Sequence, residues 1–429
     1  MQISIKDYRK TLPNLEKELD EQAMCALKWI HQYVHLGHGA VKACHNVPHR
    51  YITIEEVITY GKDIFCNHPY EIERRTDKLN NIKHAECQSC WSSEEKKVRS
   101  CRLPKPFYEL HRSRFGNGES ELTAMPTQLE IAFSNVCDLK CIYCSGHSSS
   151  QWEAEDQKFN IAIQRQTEAP AGFVDAFWQW LEEDAIEHIL QFYILGGEPL
   201  IQSEFYTFLD RLIPLVKNNP NRFNIKPELI IVTNAHAPTK YLDKWISKAK
   251  EVSEVMSVQI NISIEGYGPR AEYIRSNLIW ERFAQNVDRI FAFAKEYNAD
   301  IRFSITHSAM SITSCLELLR WIKSLKDKHG IDVDLIRTSV ASPSYLAPWI
   351  LSADFSCYID EVCTWITDYA PEWELYIGHL NAIKASFGNH TTEDLQRFGV
   401  WEKEIFRKRN MSAIKIFPEM KEWIEGCQR

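Results

Sequence analysis

Three cysteines, Cys137, Cys141 and Cys144, form a C-x3-C-x2-C loop directly after the strand-like apolar run 129–135. The odd number of ligands is the constraint. Three thiolates on one tight loop hold three irons of a cubane cluster and leave the fourth iron open, and an open iron is a reactive site, whereas four cysteines normally make an electron carrier. A zinc loop and a set of reduced thiols are the plainer readings of the same residues.

The rest of the chain favours iron. Its 429 residues are 44% hydrophobic and 25% charged, enough for one large core and a smaller one. A net charge of −8 argues against a general nucleic-acid surface, because phosphate binding needs a basic field. The first residues, Met1-Gln2-Ile3-Ser4-Ile5-Lys6, do not read as a signal peptide, and no apolar run has membrane-spanning length. Thirteen cysteines in a long chain without an export signal, seven of them in two metal-like groups, point to a cytoplasmic, iron-dependent protein. Neither nucleic acid nor membrane is expected as a partner.

The expected fold class is α/β, a partial (β/α)6 TIM-like barrel with a small N-terminal α+β iron–sulfur domain and a helical C-terminal segment. Residues 1–120, 121–345 and 346–429 are the expected domains. Strands are expected at 129–135, 189–195, 229–233, 257–264, 300–306 and 333–340. The second ends in Gly196-Gly197-Glu198-Pro199, where two glycines let the backbone approach a ligand and Glu198 offers a fixed acceptor. The third ends in Asn234-Ala235. In the fourth, alternation puts Val258, Ile260, Ile262 and Ile264 on one face, with Ser263 and Glu265 pointing the other way at the functional end. His307, at the end of the fifth, is an acid–base candidate or a structural histidine.

Towards the N-terminus, Cys25 and Cys44 flank a hairpin pattern at 29–35 and 40–42, with Gly37 and Gly39 in the turn. A helix pattern at 54–64 precedes Cys87-Gln-Ser-Cys90. Four cysteines so arranged have the architecture of a closed metal site, for which spacing alone allows zinc or an iron–sulfur cluster. Cys66 and Cys101 are spare thiols nearby.

The C-x3-C-x2-C loop, the Gly-Gly-Glu-Pro turn and the Asn234 strand end, in that order, resemble the radical S-adenosylmethionine (SAM) superfamily. That resemblance implies a [4Fe–4S] cluster on Cys137, Cys141 and Cys144 whose open iron chelates SAM and reduces it to a 5′-deoxyadenosyl radical. It also implies that Gly196, Gly197 and Glu198 bind the methionyl amino group and that Asn234, Ser263 and Glu265 line the SAM pocket. Glu265 stands where the family usually has Asp. Glu272-Tyr273-Ile274-Arg275 resembles the segment contacting the ribose and carboxylate, with Arg275 as the carboxylate partner. The N-terminal cysteines, Cys25, Cys44, Cys87 and Cys90, resemble a twitch domain, the short relative of the SPASM domain, placed before the barrel instead of after it. Ser148-Ser149-Ser150-Gln151-Trp152 and Pro418-Glu419 also resemble radical SAM proteins with such an N-terminal module.

A twitch module implies a second, auxiliary [4Fe–4S] cluster, which suits an oxidation in which one electron leaves a substrate radical. The expected activity is oxidative modification, crosslinking or dehydrogenation, of a peptide or protein, with a flavodoxin- or ferredoxin-type reducing partner. Dehydrogenation or epimerisation of an aminosugar-like small molecule is the second reading, and a non-catalytic iron–sulfur or zinc-binding protein the third. For epimerisation, Cys315, Cys357, Cys363 and Cys427 are the available hydrogen-donor thiols. In the C-terminal segment, Trp349, Trp365, Trp373, Trp401 and Trp423 either line a substrate groove or pack helices.

Overall fold

The computed structural model describes residues 3–4, 23–95, 100–102, 122–159, 161 and 168–428. The chain forms two compact units, one of Met1–Asn135, Ile163–Ile231 and Ser247–Val258, the other of Val136–Ala162, Val232–Ile246 and Gln259–Arg429.

In the first unit, β1 (His31–His35), β2 (Ala40–Lys42) and β3 (Arg50–Tyr51) form an antiparallel meander. The expected hairpin is therefore present. Beyond the expectation, β1 also pairs in parallel with β4 (Gln128–Ala132), Tyr33 lying opposite Glu130. β5 (Gln191–Leu195) and β6 (Glu228–Thr233) continue the parallel order. The hairpin thus joins the sheet as a neighbour of its first βα strand. Gly37 is required there, because a Cβ would stand 2.3 Å from the Phe133 carbonyl oxygen. Thr53 and Glu56 form a capping box that starts the expected helix, Ile54–Tyr60, which tightens into a 3-10 turn at Gly61–Ile64.

In the second unit, β7 (Ser257–Ser263), β8 (Asp300–His307) and β9 (Val333–Ser339) are parallel neighbours in register, Gln259 opposite Asp300 and Ile301 opposite Val333. All six expected βα strands exist, and the fold is the α/β class of a partial TIM-like barrel. β7 does not keep one face for solvent. Gln259 and Asn261 are as buried as Ile260 and Ile262, because parallel strands are covered on both faces. Gln259 Nε2 donates to Asn261 Oδ1 at 2.8 Å, while Gln259 Oε1 is buried without a hydrogen-bond partner.

The C-terminal part is helical, with Ser356–Tyr369, Glu374–Ser386, Thr392–Arg409 and Lys421–Cys427 as its main helices. Its tryptophans pack these helices. Phe398 meets Trp423 and Trp401 at ring-centroid distances of 4.8 and 5.5 Å, and Trp373 Nε1 donates to the Val333 carbonyl at 2.9 Å. Gly399 permits one close crossing, since a Cβ there would lie 2.2 Å from the Cys427 carbonyl oxygen. Gly399→Ala is therefore expected to destabilise the protein by about 1–3 kcal/mol, through overpacking against backbone that cannot give way. A melting temperature equal to wild type by calorimetry would refute that packing.

Candidate functional site

The cysteine loop has almost no regular structure, so its backbone carbonyls need other partners. Side chains supply them. The Ser150 hydroxyl donates to the Cys137 carbonyl at 3.2 Å, Asn277 Nδ2 to that of Asp138 at 3.3 Å, and the Ser149 hydroxyl to that of Leu139 at 2.6 Å. Arg409 Nη1 donates to the Lys140 carbonyl at 3.0 Å and Trp152 Nε1 to that of Cys141 at 2.8 Å. Ser149 is also the N-cap of the helix Ser150–Lys158, so one hydroxyl starts the helix and ties it to the loop. Glu155, on that helix, is buried and takes an ion pair from Lys140 (2.6 Å) and another from Arg409 (2.9 Å). The Ser149-Ser150-Gln-Trp152 segment is thus the clamp of the loop.

Two polar networks reach the sulfurs. In one, the short strand Lys140–Cys141 pairs antiparallel with Arg275–Ser276, placing Arg275 opposite Cys141. Arg275 binds Glu265 bidentately, Nε to Oε2 at 2.7 Å and Nη2 to Oε1 at 2.6 Å. Its Nη2 also donates to the Tyr143 hydroxyl at 2.8 Å, which itself donates to Glu265 Oε1 at 2.7 Å. The remaining nitrogen, Nη1, lies 3.5 Å from Cys141 Sγ. Burial works against the charge on Arg275, but the Glu265 carboxylate outweighs it and holds the guanidinium protonated. Burial pushes the Cys141 thiol up to about 12 against the opposing pull of Arg275, and it raises Cys144 as well.

In the other network, Asn234 Nδ2 donates to Asp138 Oδ1 at 2.8 Å and lies 4.0 Å from Cys137 Sγ. His236 Nδ1 meets Asp138 Oδ2 at 2.8 Å, and its Nε2 accepts the Ile279 N–H at 3.0 Å. Because Nε2 accepts, the proton sits on Nδ1 and points at the carboxylate. Burial opposes ionisation of Asp138, yet the hydrogen bonds from His236 and Asn234 hold its carboxyl below the usual range. Ser263 stands at the end of β7, opposite Ser304. Glu272 takes up the Trp280 N–H at 2.9 Å.

The second unit therefore brings Cys137, Cys141, Cys144, Asn234, Glu265 and Arg275 together. The first unit holds Gly196, Gly197 and Glu198. Gly196 (φ +85°) is left-handed, and a Cβ on it would stand 2.6 Å from that of Ala132; Gly197 is also left-handed. Glu198 is fully buried, with Oε1 accepting the Leu200 N–H at 3.1 Å.

The same unit gathers the N-terminal cysteines. Cys25, Cys44, Cys87 and Cys90 line one narrow recess together with Lys28, Lys78, Glu86 and Arg102. Lys78 Nζ donates to Cys87 Sγ at 3.3 Å. Cys101 joins the group, its sulfur 3.6 Å from that of Cys90 and 3.9 Å from that of Cys44. Hydrogen bonding from Cys101 lowers the Cys44 and Cys90 thiols below their ordinary range. Cys66 lies apart, its thiol donating to the Ala124 carbonyl at 3.1 Å and pushed up to about 12 by burial.

Sequence reasoning missed Asp138, Tyr143, His236, Glu155 and Arg409. The first two lie inside the cysteine motif and His236 two residues past Asn234, so proximity was a usable signal. Arg409 had none, being 269 residues from the carbonyl it caps. His307 is fully buried, with Nε2 2.6 Å from the Tyr376 hydroxyl. Burial, then the nearby His379, lowers its value from 6.5 to about 3.

Two outcomes are expected. Arg275→Ala leaves the Glu265 carboxylate buried and unpaired and should cost about 3–5 kcal/mol in denaturant titration, with Arg275→Ala/Glu265→Leu recovering part of it. A single variant as stable as wild type would mean that the pair does not hold the loop. His307 stays neutral when folded, whereas the unfolded chain takes up a proton below about 6.5. Its contribution is complete above that value and is lost as the pH falls towards 3, so His307→Gln should flatten the fall in melting temperature between pH 7 and 5. An unchanged slope would remove His307 from the acid response.

The Radical SAM superfamily model matches residues 131–298. No curated protein matches the chain. Among solved structures, Streptococcus suis SuiB bound to S-adenosylmethionine is 16% identical with a TM-score of 0.37, over 81% of this chain and 71% of that one. Native anSMEcpe with bound AdoMet is also 16% identical, with a TM-score of 0.36, over 56% of this chain and 60% of that one. The superfamily implies a [4Fe–4S] cluster and SAM. The loop's donor set fits: three thiols on one loop, with amide and guanidinium donors facing two of the sulfurs. Residues 131–298 thus carry a radical SAM domain, and its cysteine loop is the one clamped by Ser149, Ser150, Trp152 and Arg409.

Proposed function

We propose that the protein is a radical SAM enzyme that oxidatively modifies a peptide or protein side chain. The observation that carries the chemistry is the C-x3-C-x2-C loop inside the radical SAM domain, with each carbonyl from 137 to 141 capped by a side chain. With cluster and SAM bound there, the chemistry supplied is reductive cleavage to a 5′-deoxyadenosyl radical that takes a hydrogen atom from the substrate.

The chain's own residues bind and orient. Cys137, Cys141 and Cys144 hold the cluster; Gly196, Gly197 and Glu198 take the methionyl amino group. Asn234, Ser263 and Glu265 line the SAM site. Arg275 serves the SAM carboxylate through Nη1, the nitrogen that faces Cys141 and not Glu265. Cys25, Cys44, Cys87 and Cys90 hold an auxiliary [4Fe–4S] cluster of the twitch type. The support for it is their shared recess, where Lys78 donates to Cys87 Sγ. A cluster held there would offer an acceptor for the electron released on oxidation of a substrate radical, and a cytoplasmic flavodoxin- or ferredoxin-type protein would be the reductant for SAM.

Iron and sulfide per chain, counted after anaerobic reconstitution, test both centres. The expected result is about eight irons, falling to about four in a Cys137/Cys141/Cys144→Ala variant, with 5′-deoxyadenosine formed by wild type alone. About four falling to none would remove the auxiliary cluster and the oxidative assignment with it. No 5′-deoxyadenosine from a fully loaded wild type would end the enzyme reading.

A further inference from the structure

One group of metal-ligating side chains lies outside the cysteine centres. β1 has β2 on one side and β4 on the other, with Tyr33 opposite both Lys42 and Glu130. His31 is two residues before Tyr33, so it shares a face with Glu130 on the diagonal. The chain leaving β2 runs back beside His31 and brings in His45. His31 Nε2 is 2.9 Å from Glu130 Oε2, and His45 Nδ1 is 3.2 Å from the same oxygen. The three ligand atoms all lie within 4.8 Å of one another, and the two imidazole rings meet edge to face at 4.4 Å.

Two imidazole nitrogens and one carboxylate oxygen are a donor set of the zinc type. Ligands about 2.0–2.2 Å from a tetrahedral ion stand about 3.4 Å apart, so the two contacts to Glu130 need to open by only a few tenths of an ångström. Two further observations favour an ion over hydrogen bonds alone. The Glu130 side chain is only 12% exposed, and a buried carboxylate needs a positive partner. Lys42 does not serve it directly: its ammonium donates to the His45 carbonyl at 3.1 Å and lies 4.7 Å from the Tyr33 ring centroid.

We propose that His31, His45 and Glu130 bind one divalent ion of the zinc class, with its fourth position open to solvent beside the half-exposed His45. The ion ties the segment that carries Cys44 to β4. The proposal does not depend on the identity of the group held by the cysteines.

The test uses the cluster-reconstituted full-length protein, equilibrated with Zn²⁺ and then dialysed against metal-free buffer. About one zinc per chain is expected to remain, with a nitrogen/oxygen shell at about 2.0–2.1 Å in its X-ray absorption spectrum and no sulfur shell at about 2.3 Å. His45→Ala, at an exposed position, should lower zinc retention at least tenfold with iron content unchanged, and Glu130→Gln should do the same. A wild type that keeps no zinc would overturn the site, and so would zinc that carries a sulfur shell and survives His45→Ala. The latter result would place zinc in the cysteine recess, and the iron count of the same samples would then judge the auxiliary cluster separately.

Discussion

The loop that carries Cys137, Cys141 and Cys144 makes few backbone hydrogen bonds of its own, and the second unit is arranged to meet its carbonyls with side chains. Five consecutive carbonyls, 137 to 141, accept side-chain donors from Ser150, Asn277, Ser149, Arg409 and Trp152. An unmet buried carbonyl costs about 1–3 kcal/mol, so leaving several unpaired would be comparable to the whole stability of a domain. The clamp is therefore a condition for the loop to hold one shape. Glu155 fixes the clamp in turn, because it neutralises Lys140 and Arg409, one from the loop and one from the far end of a C-terminal helix.

Charge is handled in the same manner at both groups of cysteines. Arg275 faces Cys141, and Lys78 faces Cys87 in a recess shared with Lys28 and Arg102. Arg275 is anchored by Glu265 and Lys28 by Glu86 at 2.6 Å, so neither position depends on a sulfur. Such cations pull their sulfurs towards the thiolate that a metal requires, against the burial that raises both Cys141 and Cys87.

Much of this was legible in the sequence, for stateable reasons. The six βα strands announced themselves as apolar runs ending in turn chemistry, and the hairpin by its two glycines. The left-handed φ of Gly196 is what a paired glycine before Glu198 suggests. Long-range partners were not legible. Nothing in Glu130 says that Tyr33 lies opposite it, since a strand's neighbour is set by sheet order and not by local pattern. The C-terminal tryptophans read as groove or, more commonly, as packing, and the helix arrangement around Phe398 resolves Trp401 and Trp423 as packing. His307 sits where a functional residue belongs, yet the fold seals it against Tyr376.

Arg409 carries a consequence for how the protein is made. The ribosome releases the chain from its N-terminus, so Cys137, Cys141 and Cys144 emerge long before the side chain that caps the Lys140 carbonyl, 269 residues downstream. A nascent chain that has not yet reached residue 409 has every thiol of this loop but an incomplete clamp. The loop's last cap thus depends on a residue made far later than its thiols, and Arg409→Ala would leave the cysteines intact while stripping the Lys140 carbonyl of its side-chain donor.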